Sequence, residues 1–287
     1  MTADVARTHA EGGLRGFLAK GGFWRLLLLV AVYLSLYLAS GWVAAQFASG
    51  YGDDDLLSSL GAVFFQLTVG LVFGGVVLTV LTTYMGWNDE IFDRQPIYRS
   101  GWMWIAPVLV AIPITLRVLD IDWGGPALSV VLLVMASGLL VGYVEELLYR
   151  GVAVRMLRAA GHRELGVAAL SSLLFGLSHS INLFTGQAVT TVGGTMVYTV
   201  AFGVLMYLTM RATGFIIWAM VLHGLTDPTG ILDSGGIDKM PGSDGSSALA
   251  DTVGLVTIVM VVIWIPLLLC VRGKVGEPRE VTASNGT

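Results

Sequence analysis

Charge is what this chain has least of. Only 13% of its 287 residues are Asp, Glu, Lys or Arg, against about 25% in an ordinary soluble domain. That deficit, with 55% hydrophobic residues and a mean hydropathy of +0.78, excludes a soluble globular protein. Cysteine is nearly absent: the single Cys270 excludes an intramolecular disulfide framework and a thiolate metal cluster. There is no excess of basic residues either. A net charge of −4 spread over so apolar a chain excludes a nucleic-acid partner. Histidine is scarce, with four in all, and no internal repeat is visible. No cleavable signal is evident, because the first apolar run is too long for a signal-peptide core and lacks a small-residue cleavage site after it.

What is present is a succession of long uncharged runs. The 37 glycines suit close helix packing in lipid, where small residues let backbones approach. Residues 1–20 read as a polar, basic tail. Charge-free stretches then predict spans over roughly 22–49, 57–86 and 100–118, the last carrying Pro107 and Pro113 and so expected to kink. A fourth begins near Pro126. Residues 165–210 hold no charge and are too long for one span. Gly186 and Gly193-Gly194 divide them into a fifth and a sixth. A short seventh span, 215–226, stops at Asp227-Pro228, and a Gly/Ser/Asp loop over 229–251 leads to an eighth at 252–271. A polar tail, 272–287, reads as disordered. The expectation is an all-α, polytopic membrane bundle of about eight helices with both termini cytosolic. Residues 21–124 would form the first three helices and residues 125–271 the remaining five. This orientation leaves only Arg117 and Lys239 outside, against fourteen of the sixteen basic residues inside.

One stretch breaks the apolar pattern most sharply: Gly142-Tyr-Val-Glu145-Glu146-Leu-Leu-Tyr-Arg150-Gly151. Ionisable groups at membrane depth are disfavoured and persist with a use or a partner. Successive helical residues point about 100° apart, so the two glutamates face different ways. Glu146 and Arg150 are four apart in the favourable order for an ion pair. Glu145 is left without a local cation, which suits a general base. The bland alternative is a solvated helix edge. No breaker follows Gly151, however, so the fourth helix extends to about Ala160. Glu145 then lies roughly 22 Å from that end. His179 is a similar distance from a helix start near Glu164, and His223 is roughly 18 Å from Arg211. The three groups share a level. His223 and Asp227 are four apart, and the aspartate can fix the ring tautomer, although Pro228 bends Asp227 away from helical geometry. Phe175 can wall the site and Asn182 can donate hydrogen bonds.

Together these stretches resemble the CAAX protease and bacteriocin-processing (CPBP, or Abi) family of intramembrane proteases. The resemblance rests on Glu145-Glu146-Leu-Leu-Tyr-Arg150, Phe175-Gly-Leu-Ser-His179 and His223-Gly-Leu-Thr-Asp227, and covers roughly residues 125–230. It implies a membrane-embedded endopeptidase in which Glu145 and His179 activate water. Glu146 with Arg150 would hold the helix geometry, and His223 with residue 227 would stabilise the tetrahedral intermediate. Members close to the prenyl-protein endopeptidases often carry asparagine where this chain has Asp227. An ionised aspartate repels an oxyanion, so Asp227 would instead orient His223, be protonated or bind a metal. Glu145, His179 and His223 could ligate a divalent ion such as zinc. No His-Glu-x-x-His motif is present, and metal-free water activation is preferred. The expected partners are the lipid bilayer and a peptide or membrane-protein substrate, in a prokaryotic plasma membrane. The competing readings are a non-catalytic partner-binding module and a proton-coupled transporter. The transporter predicts related halves, and none is seen.

Overall fold

The computed structural model describes residues 12–48, 50–51, 55–97, 99–236 and 247–276. Parts of the predicted tails at 1–20 and 272–287, and the middle of the predicted loop at 229–251 with Lys239, lie outside these.

Among the described residues every regular element is helical. A short α1, Gly13–Ala19, precedes α2, Phe23–Ala45. α3 is Leu60–Met85 and α4 is the short Asn88–Phe92. α5, Gly101–Asp120, holds Pro113 inside a continuous helix. α6 runs Leu128–Ala159, α7 Glu164–Phe184 and α8 Val189–Thr213. α9 is Ile216–Ser234 and α10 is Ala248–Leu269. Seven of these, α2, α3, α5, α6, α7, α8 and α10, are long and apolar enough to cross a membrane. α9 is the eighth long helix at 19 residues. His223, Asp227 and Asp233 make it less apolar than the others.

Among the seven candidate spans α6, α7 and α8 are the most enclosed, whereas α2 and α10 are largely exposed. That is the distribution expected when outer helices face lipid. α6 packs most extensively on α9, and α7 on α8. The α6–α9 crossing is close because small residues meet. Gly138 sits against the Pro228 ring, and Gly142 lies on the Met220 carbonyl and the backbone of Gly224. Hydroxyl pairs tie α3 to α6: Thr68 with Ser137, buried, at 2.7 Å and Thr79 with Tyr143, exposed, at 2.8 Å. Such bonds hold helices together where apolar burial gives no preference over lipid.

Two boundaries differ from the sequence expectation. Gly193 and Gly194 lie inside α8, not at a turn; the division falls at Gly186, whose φ of 89° is left-handed. α9 does not end at Asp227-Pro228, and the loop does not begin at 229. Pro228 removes one backbone donor, yet its ring is seated on Gly138 and the helix carries on. Thr226 and Thr229 hydroxyls bond back to the Leu222 and Leu225 carbonyls. The helix stops only where Gly235, at φ 71°, caps it in the left-handed region.

Candidate active site

Site geometry starts from α6. Its helix is regular to Glu146, and the next seven residues, Leu147–Ala153, form a π-helical segment. Such widened turns occur at functional sites because they re-aim side chains. The Glu146–Arg150 pair spans the transition. Arg150 Nη1 donates to Glu146 Oε1 at 3.1 Å, and both side chains are fully buried. Arg150 Nη2 donates to the Gly203 carbonyl of α8 at 2.7 Å, so the guanidinium bridges two helices. It also lies over the Phe175 ring, 4.7 Å from its centroid.

Glu146 has a second partner. His223 Nδ1 lies 2.7 Å from the same Oε1. A carboxylate only accepts, so Nδ1 carries the hydrogen and this contact fixes the ring. The four-residue spacing predicts that duty for Asp227. Asp227 is instead near the other nitrogen: Nε2 is 3.7 Å from Asp227 Oδ2 and 3.5 Å from Glu145 Oε2. The expected i,i+4 approach is present, because α9 stays helical through Pro228, but Glu146 is the closer carboxylate.

The cluster is layered. Glu146 and Arg150 are sealed and His223 is 3% exposed, whereas Glu145 and Asp227 are 29% and 36% exposed. The two accessible carboxylates thus stand in front of a buried histidine–glutamate–arginine chain.

His179 reaches the cluster from α7, where that helix tightens into a 3-10 turn over His179–Thr185. Its Nδ1 lies 2.9 Å from the Phe175 carbonyl. A carbonyl accepts, which assigns the hydrogen to Nδ1 and leaves Nε2 able to accept. The Phe175 ring meets both histidines edge-on, with centroids 5.0 Å from His179 and 5.7 Å from His223. Glu145 is within electrostatic reach of His223, His179, Asp227 and Glu146. Glu145, Glu146, Arg150, Phe175, His179, His223 and Asp227 therefore form one cluster. Asn182 lies one turn beyond His179 in the 3-10 segment, half-buried.

Sequence reasoning missed several neighbours. Phe202 meets the His223 ring edge-on at 5.0 Å, and Tyr149 packs on Phe175 at 5.1 Å. Tyr33 and Tyr37 of α2 are within electrostatic reach of Glu145. Tyr149 could have been found, since it follows Glu145 by four residues. The others depend on helix neighbours that no spacing announces.

Glu145, His179 and His223 are the candidate metal donors. Among the described residues no group of three or more His, Cys, Asp or Glu side chains is arranged to hold an ion. His223 gives Nδ1 to Glu146 and His179 gives Nδ1 to a backbone carbonyl, which leaves the Nε2 atom of each ring toward the cluster. The steps below are therefore derived from the side chains alone.

Fold and cluster define an integral, multi-pass membrane protein with an ionisable site enclosed by its helices. Residues 127–229 match the family model described as type II CAAX prenyl endopeptidase Rce1-like. The match falls on the segment that carries the three motifs and agrees with the resemblance drawn from them. It implies a protease, a hydrolase of peptide bonds. No curated protein and no solved structure matches the chain.

Proposed function

We propose that this protein is an intramembrane endopeptidase that cleaves near the C-terminus of a peptide or membrane protein, with a prenylated terminus as the first substrate to try. The observation that carries this reading is the two-layer cluster. An accessible Glu145, 3.5 Å from the outer nitrogen of the His223 ring, stands before a histidine locked in place by buried partners.

Water bound between Glu145 and His179 Nε2 loses a proton to Glu145 as its oxygen attacks the scissile carbonyl. Nε2 accepts a hydrogen bond from that water and orients it. The developing oxyanion is met by the His223 ring, whose two nitrogens both face carboxylates, so that a protonated ring can donate from both. Asp227 beside Nε2 holds that ring and is not itself the oxyanion donor. Glu145 then returns its proton to the leaving amine. Glu146 and Arg150 fix His223 from behind. Basic-residue placement supports an orientation with both termini cytosolic, and the proposed location is a prokaryotic plasma membrane. The presence of every motif residue favours the enzyme over a non-catalytic module, since a module need not keep a base aimed at water.

The test is cleavage by purified protein in detergent of a quenched-peptide library that includes prenylated C-terminal peptides. Wild type and Glu145→Gln are compared, with and without a chelator. Glu145→Gln is expected to elute as a folded protein and to cut at least a hundredfold more slowly, a loss on the order of that for one general base. Turnover retained in that variant would remove Glu145 as base. Loss with chelator and recovery with zinc would replace the metal-free steps.

A further inference from the structure

The matched segment begins at residue 127, so α2 lies outside it. Yet α2 reaches the site. Its register is set where the Gly22 N–H donates to the Met156 carbonyl at 2.9 Å. From that tie α2 runs forward along the bundle while α6 runs back. Tyr33 is eleven residues from Gly22, and Glu145 is eleven from Met156. At about 1.5 Å per residue both stand roughly 16 Å from the tie, at one depth.

α3 supplies the second coordinate. Gly74 has no side chain, and the Tyr33 hydroxyl occupies the place its Cβ would take. The next residue, Gly75, packs on α6: a Cβ there would lie 3.3 Å from Val144 Cγ2. The hydroxyl is thus seated beside the turn of α6 that carries Glu145. Tyr33 is also within electrostatic reach of both Glu145 and Tyr149. It is only 7% exposed, and its hydroxyl is buried with no hydrogen-bond partner among the described residues. Buried hydroxyls are almost always paired. One held in a glycine notch beside the α6 turn that carries Glu145 points to that carboxylate, across one water, as its acceptor. The groups that face Glu145 are Glu146, Tyr149 and Arg150 on its own helix, His179 on α7, His223 and Asp227 on α9, and Tyr33 and Tyr37 on α2. His223 is already shared among three carboxylates.

We infer that Tyr33 is a positioning residue of the site: its hydroxyl donates to the Glu145 carboxylate through one water and fixes the direction in which the base points. The inference rests on the protease reading for its kinetic consequence but not for its geometry. Tyr33→Phe removes one oxygen and keeps the ring, so the bundle is expected to fold.

Infrared difference spectra of the full-length protein in detergent decide the geometry without any substrate. The Glu145 carboxylate band is the one that Glu145→Gln abolishes. It is expected to shift in Tyr33→Phe and to stay in place in Tyr84→Phe, whose ring packs on Arg15 at the basic end. On a cleavable peptide, Tyr33→Phe is expected to lower kcat about tenfold, as for one lost hydrogen bond, with KM unchanged. An unmoved band overturns the contact. A moved band with unchanged kcat overturns the positioning role. If the wild type cleaves nothing, the protease reading fails, while the band still decides whether Tyr33 holds Glu145.

Discussion

Arg150 is the residue on which the rear of the site depends. It carries its charge into a fully buried position and spends it on Glu146 and on the Gly203 carbonyl. Replacing it with alanine leaves Glu146 without its cation and the carbonyl without its donor. Breaking a buried pair from one side costs about 3–5 kcal/mol. Arg150→Ala is therefore expected to lower purified yield and to melt well below wild type in detergent. A variant that melts normally and cleaves normally would contradict the pairing. Glu146 bears on chemistry as well as on packing, because the oxygen that accepts from Arg150 also accepts from His223. The motif order suggested a base followed by a structural glutamate. The second glutamate is also the hand that holds a histidine.

At the scale of helices, the α6–α9 crossing sets the distance between Glu145 and His223. Gly142 touches backbone, which has nowhere to move, so a methyl group there must push the helices apart. Gly142→Ala is expected to destabilise the protein by about 1–3 kcal/mol and to reduce cleavage more than substrate binding. A thermal melt and a kcat comparison check both parts, and an unchanged melt would show that the crossing can yield. This crossing also marks how far the sequence could be read. Depth along a helix is counting, so the common level of Glu145, His179 and His223 was legible from where charges begin and end. The fourth helix likewise reaches Ala159 because nothing after Gly151 breaks it. Neighbourhood between helices is not counting. The Glu146–His223 bond joins residues 77 apart, and the Phe202 contact and the Tyr33 notch arise the same way. The end of α9 differs from the sequence expectation because Pro228 is a breaker only when its ring has nowhere to go, and here Gly138 gives it room.

Over the whole molecule, one end of the bundle is closed by a buried polar knot. Arg158 grips Glu164 through Nε at 2.9 Å and Nη2 at 2.8 Å, and its Nη1 donates to Gln95 at 2.6 Å. Arg211 Nη1 and the Tyr207 hydroxyl donate to the same carboxylate. The Glu164 amide donates to the Gly273 carbonyl at 2.9 Å, so the segment after α10 is tied in as well. This end gathers basic residues, which puts it in the cytosol under the proposed orientation. Cys270, exposed at the end of α10, reports on that directly. A membrane-impermeant maleimide is expected to label it in inside-out vesicles and not in right-side-out ones; the reverse pattern would invert the topology.

The polarity of α9 has a consequence for how the protein is made. The side chains that equip this helix for the site also make it the least suited of the long helices to enter lipid by itself. Histidine and aspartate at mid-helix each oppose insertion. Synthesis proceeds from the N-terminus, so α6, which offers Glu146 to His223 and Gly138 to Pro228, has already emerged when α9 leaves the ribosome. The earlier helix is a receptacle for the later one, and membrane integration of α9 is inseparable from assembly of the cluster. Substitutions on the facing surface of α6 would then surface during biogenesis, as chains whose ninth helix is left outside the bilayer and handed to quality control, before any catalytic defect could be measured.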